Sequence, residues 1–199
     1  PFIFIHDGSG SEVTQIDFGA YGEGDYLYRY GSLIDSTWYT TITSYTGIDI
    51  NGASIYFIKD FTGTSEYTYV SNVGIEGYVP VEAWISYDES QVYLTSVDDI
   101  YVKDASSLFS SVSSSPTIIL NNLNVSRTTT MENMFKDCCG LTTLIFPQVF
   151  DTSNVTNMSN MFNCCCHLQS LTLPSSIVTT NVTNMSSMFF SMCSLNELV

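Results

Sequence analysis

From residue 105 onward, the apolar positions return at a fixed interval. Thr130–Phe135, Asn157–Phe162 and Asn184–Phe189 align with an offset of 27 residues each time. A weaker copy, Ala105–Phe109, precedes them by 26. The register continues through Cys139, Cys166 and Cys193, through Leu141, Leu168 and Leu195, and through Leu144, Leu171 and Leu198. Met131, Met134, Phe135 and Cys138 fall at i, i+3, i+4 and i+7, which predicts about two turns of helix. Leu141–Phe146 then reads as a turn into a short strand, ended by Pro147 and, one copy later, by Pro174. A fixed period of this length is the mark of a solenoid, because one coil cannot bury its apolar side and a stack can. The expected structural core is Met131, Met134, Phe135, Cys139, Leu141 and Leu144. Met158, Met161, Phe162, Cys166, Leu168 and Leu171 repeat it, and so do Met185, Met188, Phe189, Cys193, Leu195 and Leu198.

Residues 1–78 carry a different period. Apolar and aromatic residues alternate with polar ones in short runs: Phe2–Ile5, Val13–Phe18, Tyr26–Tyr30, Trp38–Ile42, Ser54–Ile58 and Tyr67–Val73. Tyr, Thr, Ile and Val dominate them, as strands prefer. Asp7-Gly8, Gly22-Glu23-Gly24, Asn51-Gly52 and Thr62-Gly63 punctuate them, and Asn51-Gly52 reads as a hairpin. These runs predict a small all-β sandwich or barrel. Residues 79–104 supply further strands, around Val79–Val81, Gln91–Leu94 and Ile100–Val102, as a lead-in that caps the repeats. The expected domains are 1–78, 79–104 and 105–199, the last with about three and a half repeats. The expected fold class is mainly β: a sandwich or barrel, then a solenoid with one short helix and one short strand per repeat.

The string Asp151–Phe162, followed by Cys and a Leu-x-x-Leu-x-Leu pattern, resembles the BspA-type leucine-rich repeat. It is closest to the version catalogued in mycoplasma surface lipoproteins as a domain of unknown function. The resemblance covers about residues 90–199 and leaves 1–78 aside. It implies a leucine-rich-repeat stack displayed outside a cell or on a particle, with an adhesive role. It brings no catalytic residues.

Charge narrows the partners. Asp and Glu number 20 against 5 Lys and Arg, a net charge of −15. Such a field repels phosphate backbones, so nucleic acid is not an expected partner. No run of 18 apolar residues occurs, so no membrane insertion is expected. The chain opens on Pro1 without a signal peptide and reads as a fragment or processed product.

Five groups of residues are candidate sites. The six cysteines, Cys138, Cys139, Cys164, Cys165, Cys166 and Cys193, could ligate zinc with His167 or form disulfides. Met192 stands in the slot of Cys138 and Cys165, which favours packing over ligation, and no metal site is expected. Asn-x-Ser/Thr at Asn124, Asn154, Asn157, Asn181 and Asn184 reads as a ladder bonding turn backbone, not as glycan acceptors. The pair His6-Asp7 and the lone His167 meet no convincing nucleophile, and acidic loops such as Asp98-Asp99 lack calcium-loop spacing. Thirteen tyrosines suit strands, and they also suit contact with proteins or sugars.

These readings predict a non-enzymatic, surface-displayed adhesion or binding protein without catalytic residues or cofactors. Its expected place is extracellular or on a cell surface. Its expected partners are a protein or glycan on another surface, or copies of itself. The alternative is a structural virion protein, such as a phage head or tail fibre, or an extracellular filament subunit.

Overall fold

The structure is a computed structural model. It describes residues 2–6, 12–17, 32–59, 61, 65–75 and 78–199. The chain divides into two compact units, Pro1–Tyr30 and Gly31–Val199. In the first, β1 (Phe2–His6) and β2 (Glu12–Asp17) pair antiparallel, with a register shift between Ile5 and His6. The strand expected at Tyr26–Tyr30, and the turns at Asp7-Gly8, Gly22-Glu23-Gly24 and Thr62-Gly63, lie outside the described residues.

The second unit is mainly β. After β3 (Ser32–Ile34) comes the one helix among the described residues, α1 (Trp38–Thr46). Next come β4 (Ser54–Lys59), β5 (Tyr67–Asn72), β6 (Glu82–Ser86), β7 (Gln91–Ser96) and β8 (Ile100–Val102). Short strands follow: β9 (Thr117–Ile119), β10 (Leu123–Asn124), β11 (Thr143–Ile145), β12 (Ser170–Leu171) and β13 (Glu197–Leu198). Six of them form one mixed sheet in the order β11-β9-β4-β7-β6-β5. Its β11–β9–β4–β7 part is parallel, and β7–β6–β5 is an antiparallel meander. A three-stranded parallel sheet, β10-β8-β3, and the pair β12-β13 complete it.

This overturns the expected fold class. The sheet of six strands takes β4 from before residue 78 and inserts it between β7 and β9, so among the described residues no separate sandwich or barrel precedes the repeats. No repeat holds a helix: residues 131–138 run through turns and short bridges. The i, i+3, i+4 spacing that suggests a helix is produced here by left-handed residues that reset the chain. Asn133, Asn160 and Ser187 have φ of 58°, 54° and 55°, and Asp137, Cys164 and Ser191 have 61°, 63° and 57°. Asn, Asp and Ser tolerate that region better than branched residues, because short polar side chains bond local backbone there.

Two further expectations change. Trp38–Ile42 forms the first part of α1, not a strand. Its Thr and Tyr favour strands locally, but Trp38 and Ile42, one helical turn apart, are both fully buried, and that packing decides the outcome. Gly47 ends the helix in the left-handed region, φ 72°, its N–H donating to the Thr43 carbonyl at 2.8 Å. Asn51-Gly52 then turns the chain from that helix into β4, not from strand to strand.

The sheet alternates cleanly. Ile55, Phe57, Ala83, Ile85, Val92 and Leu94 point inward and are at most 3% exposed. Tyr56, Trp84 and Tyr93 stand on the other face, half-buried. Each successive repeat lays one rung beside the last. Single parallel bridges join Asp104, Thr130, Asn157 and Asn184. Around them, N–H groups of one rung donate to carbonyls of the next: Phe109 to Met134, Phe135 to Met161, and Phe162 to Met188, each at 2.9 Å. Phe109, Phe135, Phe162 and Phe189 stack as parallel rings, with centroids 5.0, 5.4 and 5.7 Å apart. Trp38 closes the first end of this column. Its Nε1 donates to the Leu108 carbonyl at 2.9 Å, and its ring and that of Phe57 meet Phe109 edge-on.

Candidate functional site

Most of the predicted core residues are inside. Met131, Met134, Phe135, Leu141, Phe162 and Leu168 are fully buried, Met158, Met161 and Leu171 nearly so, and Met188 is 9% exposed. Leu144 and Leu195 are half-buried and pack against the core. Met185, Phe189 and Leu198 are 41%, 38% and 51% exposed. Placing Cys139, Cys166 and Cys193 in the core was wrong: Cys139 and Cys193 are exposed and Cys166 half-buried. The buried slot belongs to Cys138 and Cys165, whose Sγ atoms donate to the Phe109 and Phe135 carbonyls of the rung before, at 3.4 and 3.2 Å. Burial pushes the Cys138 thiol well up and that of Cys165 to about 12, so neither is a nucleophile near neutral pH.

The Asn and Thr side chains tie rungs together. Asn154 and Asn181 donate through Nδ2 to the Ser126 and Ser153 carbonyls, at 2.7 and 2.6 Å. Asn157 and Asn184 accept from the N–H groups of Ser159 and Ser186, both at 3.0 Å. Asn124 accepts likewise from Ser126 N–H at 3.0 Å and donates to Asp99 at 3.0 Å. Asp99, also held by Lys59 at 2.7 Å, is kept below the usual carboxylate range, chiefly by that lysine and then by Asn124. Among the described residues, no group of three or more His, Cys, Asp and Glu could hold a metal ion. His167 lies exposed, its Nδ1 against the Cys139 carbonyl. Nothing is described of the His6 side chain or of Asp7.

The feature that gathers function-bearing side chains is the outer face of the six-stranded sheet. There β4, β5, β6 and β7 present Tyr56, Tyr67, Tyr69, Trp84 and Tyr93, with Phe61 between them. Tyr56 stacks on Tyr93 at 4.7 Å and Phe61 on Tyr93 at 4.5 Å. Phe61 meets Tyr67 and Trp84 edge-on at 5.2 and 5.9 Å, and Tyr69 meets Trp84 at 5.3 Å. Gln91 Oε1 accepts from the hydroxyls of Tyr67 and Tyr93, at 2.7 and 3.2 Å. Burial first, then the Tyr67 side chain, pushes the Tyr93 phenol to about 12, so it is neutral at physiological pH. An open cleft of about 440 Å³ runs along this face, lined by Phe61, Val79, Pro80, Glu82, Trp84 and Val97, among others. The Trp84 Nε1 is buried there without a hydrogen-bond partner. Such a face offers apolar area and neutral hydroxyls, which suits recognition. The excess of tyrosine hinted at contact, but Phe61 and Trp84 were missed. Alternation in 54–59 and 91–96 was the signal that could have located the face.

No helix among the described residues is long and apolar enough to cross a membrane. Residues 87–199 match the model of a family described as Mycoplasma protein of unknown function, DUF285. No curated protein and no solved structure matches the chain.

Proposed function

We propose that this chain, which belongs to the DUF285 family, is a non-enzymatic binding module displayed outside a cell, in which the repeats are the scaffold and the aromatic sheet face is the contact surface. The single observation behind this reading is the connected array of six aromatic side chains beside the cleft. The partner it fits is a protein surface rich in Arg and Lys. Aromatic rings take cations on their faces, and a net charge of −15 steers cationic surfaces toward the chain. We also read the repeats as the BspA-type leucine-rich pattern. The burial of Leu141, Leu168 and Leu171 at matching positions supports that.

The test is binding of the wild type and of a Trp84→Ala/Tyr93→Ser variant to a panel of strongly basic proteins, with a glycan array alongside. The expected result is saturable binding to a basic protein that persists at physiological salt. The double variant, with an unchanged circular dichroism spectrum, should bind roughly tenfold or more weakly, as loss of hot-spot aromatics implies. Binding that physiological salt abolishes, or that the variant retains, would sink the reading. Glycan binding lost in the variant would move the partner to sugars. A trimer or polymer by solution mass would favour a fibre subunit instead.

A further inference from the structure

We infer that Cys139 and Cys166 form a surface dithiol that closes reversibly into a disulfide between neighbouring repeats by exchange with a low-molecular-weight organic disulfide. Their Sγ atoms lie 4.0 Å apart. Cys139 is exposed and Cys166 half-buried, so both are within reach of a small reagent. The same backbone turn delivers both. Asp137 and Cys164, two residues earlier in each copy, are left-handed at φ 61° and 63°. The N–H of Cys139 then donates to the Asp137 carbonyl at 2.7 Å, and that of Cys166 to the Cys164 carbonyl at 2.9 Å. Two side chains leaving identical turns on adjacent rungs run parallel. Backbone bonds join those rungs beside the cysteines, Phe135 N–H to the Met161 carbonyl at 2.9 Å and Asp137 N–H to the Asn163 carbonyl at 2.8 Å, which is strand-like pairing at about 4.8 Å, inside the Cα separation of roughly 4.4–6.8 Å that a disulfide spans. His167 Nδ1, against the Cys139 carbonyl, ties the rungs together beside the pair.

The same geometry makes the bond labile. Parallel side chains hold their Cβ atoms near the rung spacing, whereas a relaxed disulfide wants about 3.8 Å. Closure therefore draws the rungs together, and a strained, exposed disulfide is the readily reduced kind. The chemistry balances without further reagents. The Cys139 thiol loses its proton and attacks one sulfur of RSSR, releasing RS⁻, which takes up a proton. The Cys166 thiolate then attacks Sγ of Cys139 and expels the second RS⁻, protonated in turn. Two protein S–H bonds become one S–S bond, and RSSR is reduced to two RSH. The buried neighbours Cys138 and Cys165 are internal controls within the same Cys-Cys pairs of residues.

The experiment incubates the full chain with oxidised glutathione under anaerobic conditions, quenches with acid, blocks remaining thiols and maps peptides by mass. The expected product has lost two hydrogens through a Cys139–Cys166 bridge that dithiothreitol reopens. It should exceed glutathione adducts at these two residues about tenfold, because the second thiol acts at the high effective concentration of an intramolecular partner. Cys139→Ser should leave Cys166 carrying glutathione instead of a bridge. Stable adducts at Cys139 beside a free Cys166 would overturn the inference. So would a bridge from Cys166 to Cys193, or modification of Cys138 or Cys165 in the folded chain.

Discussion

The six-stranded sheet and the repeat rungs use the same ladder of N–H and carbonyl groups, but they draw their order from different sources. In the sheet, β4 and β7 pair over six residues and β5 and β6 over five, and backbone pairing holds them in register. The aromatic residues on the outer face decorate strands that are already fixed. In the rungs, pairing shrinks to three residues for β11 on β9, two for β12 on β13 and single bridges at Thr130 and Asn157, and left-handed turns carry the chain past those bridges. There the Phe and Met columns do what long strands do elsewhere. A short bridge fixes few dihedrals, so the apolar stack must supply the stability that offsets the entropy of ordering the turns.

The largest expected effect follows from this contrast. Phe135 is fully buried and touches Phe109, Phe162 and Phe146. Phe135→Ala should cost about 3–5 kcal/mol, the range for a large ring removed from a close-packed site. Tyr69, 47% exposed on the outer face, should cost no more than about 1 kcal/mol when replaced by Ala. Urea titrations of both variants check this. Equal losses would show that the outer face is as structural as the column, and the two regions would not differ as argued.

A smaller effect separates neighbouring rungs from each other. Gly140 is aligned with His167 and Ser194, so the repeat itself accepts a side chain there. At Gly140, however, an added Cβ would meet the backbone of Ser114 at 2.6 Å. Backbone cannot rotate away as a side chain can, so Gly140→Ala should cost about 1–3 kcal/mol through local overpacking. Ser194→Ala should change stability by less than about 0.5 kcal/mol. Matching unfolding midpoints for the two variants would show that the Ser114 segment yields freely.

The 27-residue register was legible in the sequence, and Met131, Phe135 and Leu141, which carry it, are fully buried. The sequence misled wherever a local pattern had two physical solutions. The i, i+3, i+4 spacing of Met131, Met134 and Phe135 fits a helix, and it fits equally a pair of tight turns reset by Asn133 and Asp137. Trp38–Ile42 looks like a strand by composition, yet burial of Trp38 against Leu108 and Phe109, some 70 residues on, makes it part of a helix. That contact has no local signature. The cysteines show the same limit. Register pointed to Cys139, Cys166 and Cys193, but a shift of one residue decides which thiol faces inward, and turn geometry sets that shift. The aromatic face was half visible: tyrosine was plentiful, but the meander that brings Tyr69, Trp84 and Tyr93 onto one face depends on the register between its strands, which the pattern within one strand does not state.

The smallest expected effect concerns acid. The β6–β7 turn is held by Asp88, whose carboxylate accepts from Ser86 Oγ, Ser90 Oγ and Ser90 N–H, at 2.6, 2.7 and 3.1 Å. Those bonds, the Ser86 hydroxyl first, hold its pKa down at about 2 from an ordinary value of 3.8. A folded-state pKa below the unfolded one stabilises the fold above the unfolded value, and that contribution disappears as pH falls through the folded one. The window is therefore pH 4 down to 2. The matching rung turns at Thr130, Asn157 and Asn184 use a hydroxyl and two amides, which do not titrate there. The urea midpoint of Asp88→Asn should thus lie slightly below wild type at pH 5 and converge with it by about pH 2. Asn184→Ser, at a turn whose amide accepts only from Ser186 N–H, should show an offset that stays constant over the same range. A parallel offset for both variants would mean that the sheet turn gains nothing from its charge, and the two regions would then respond to acid alike.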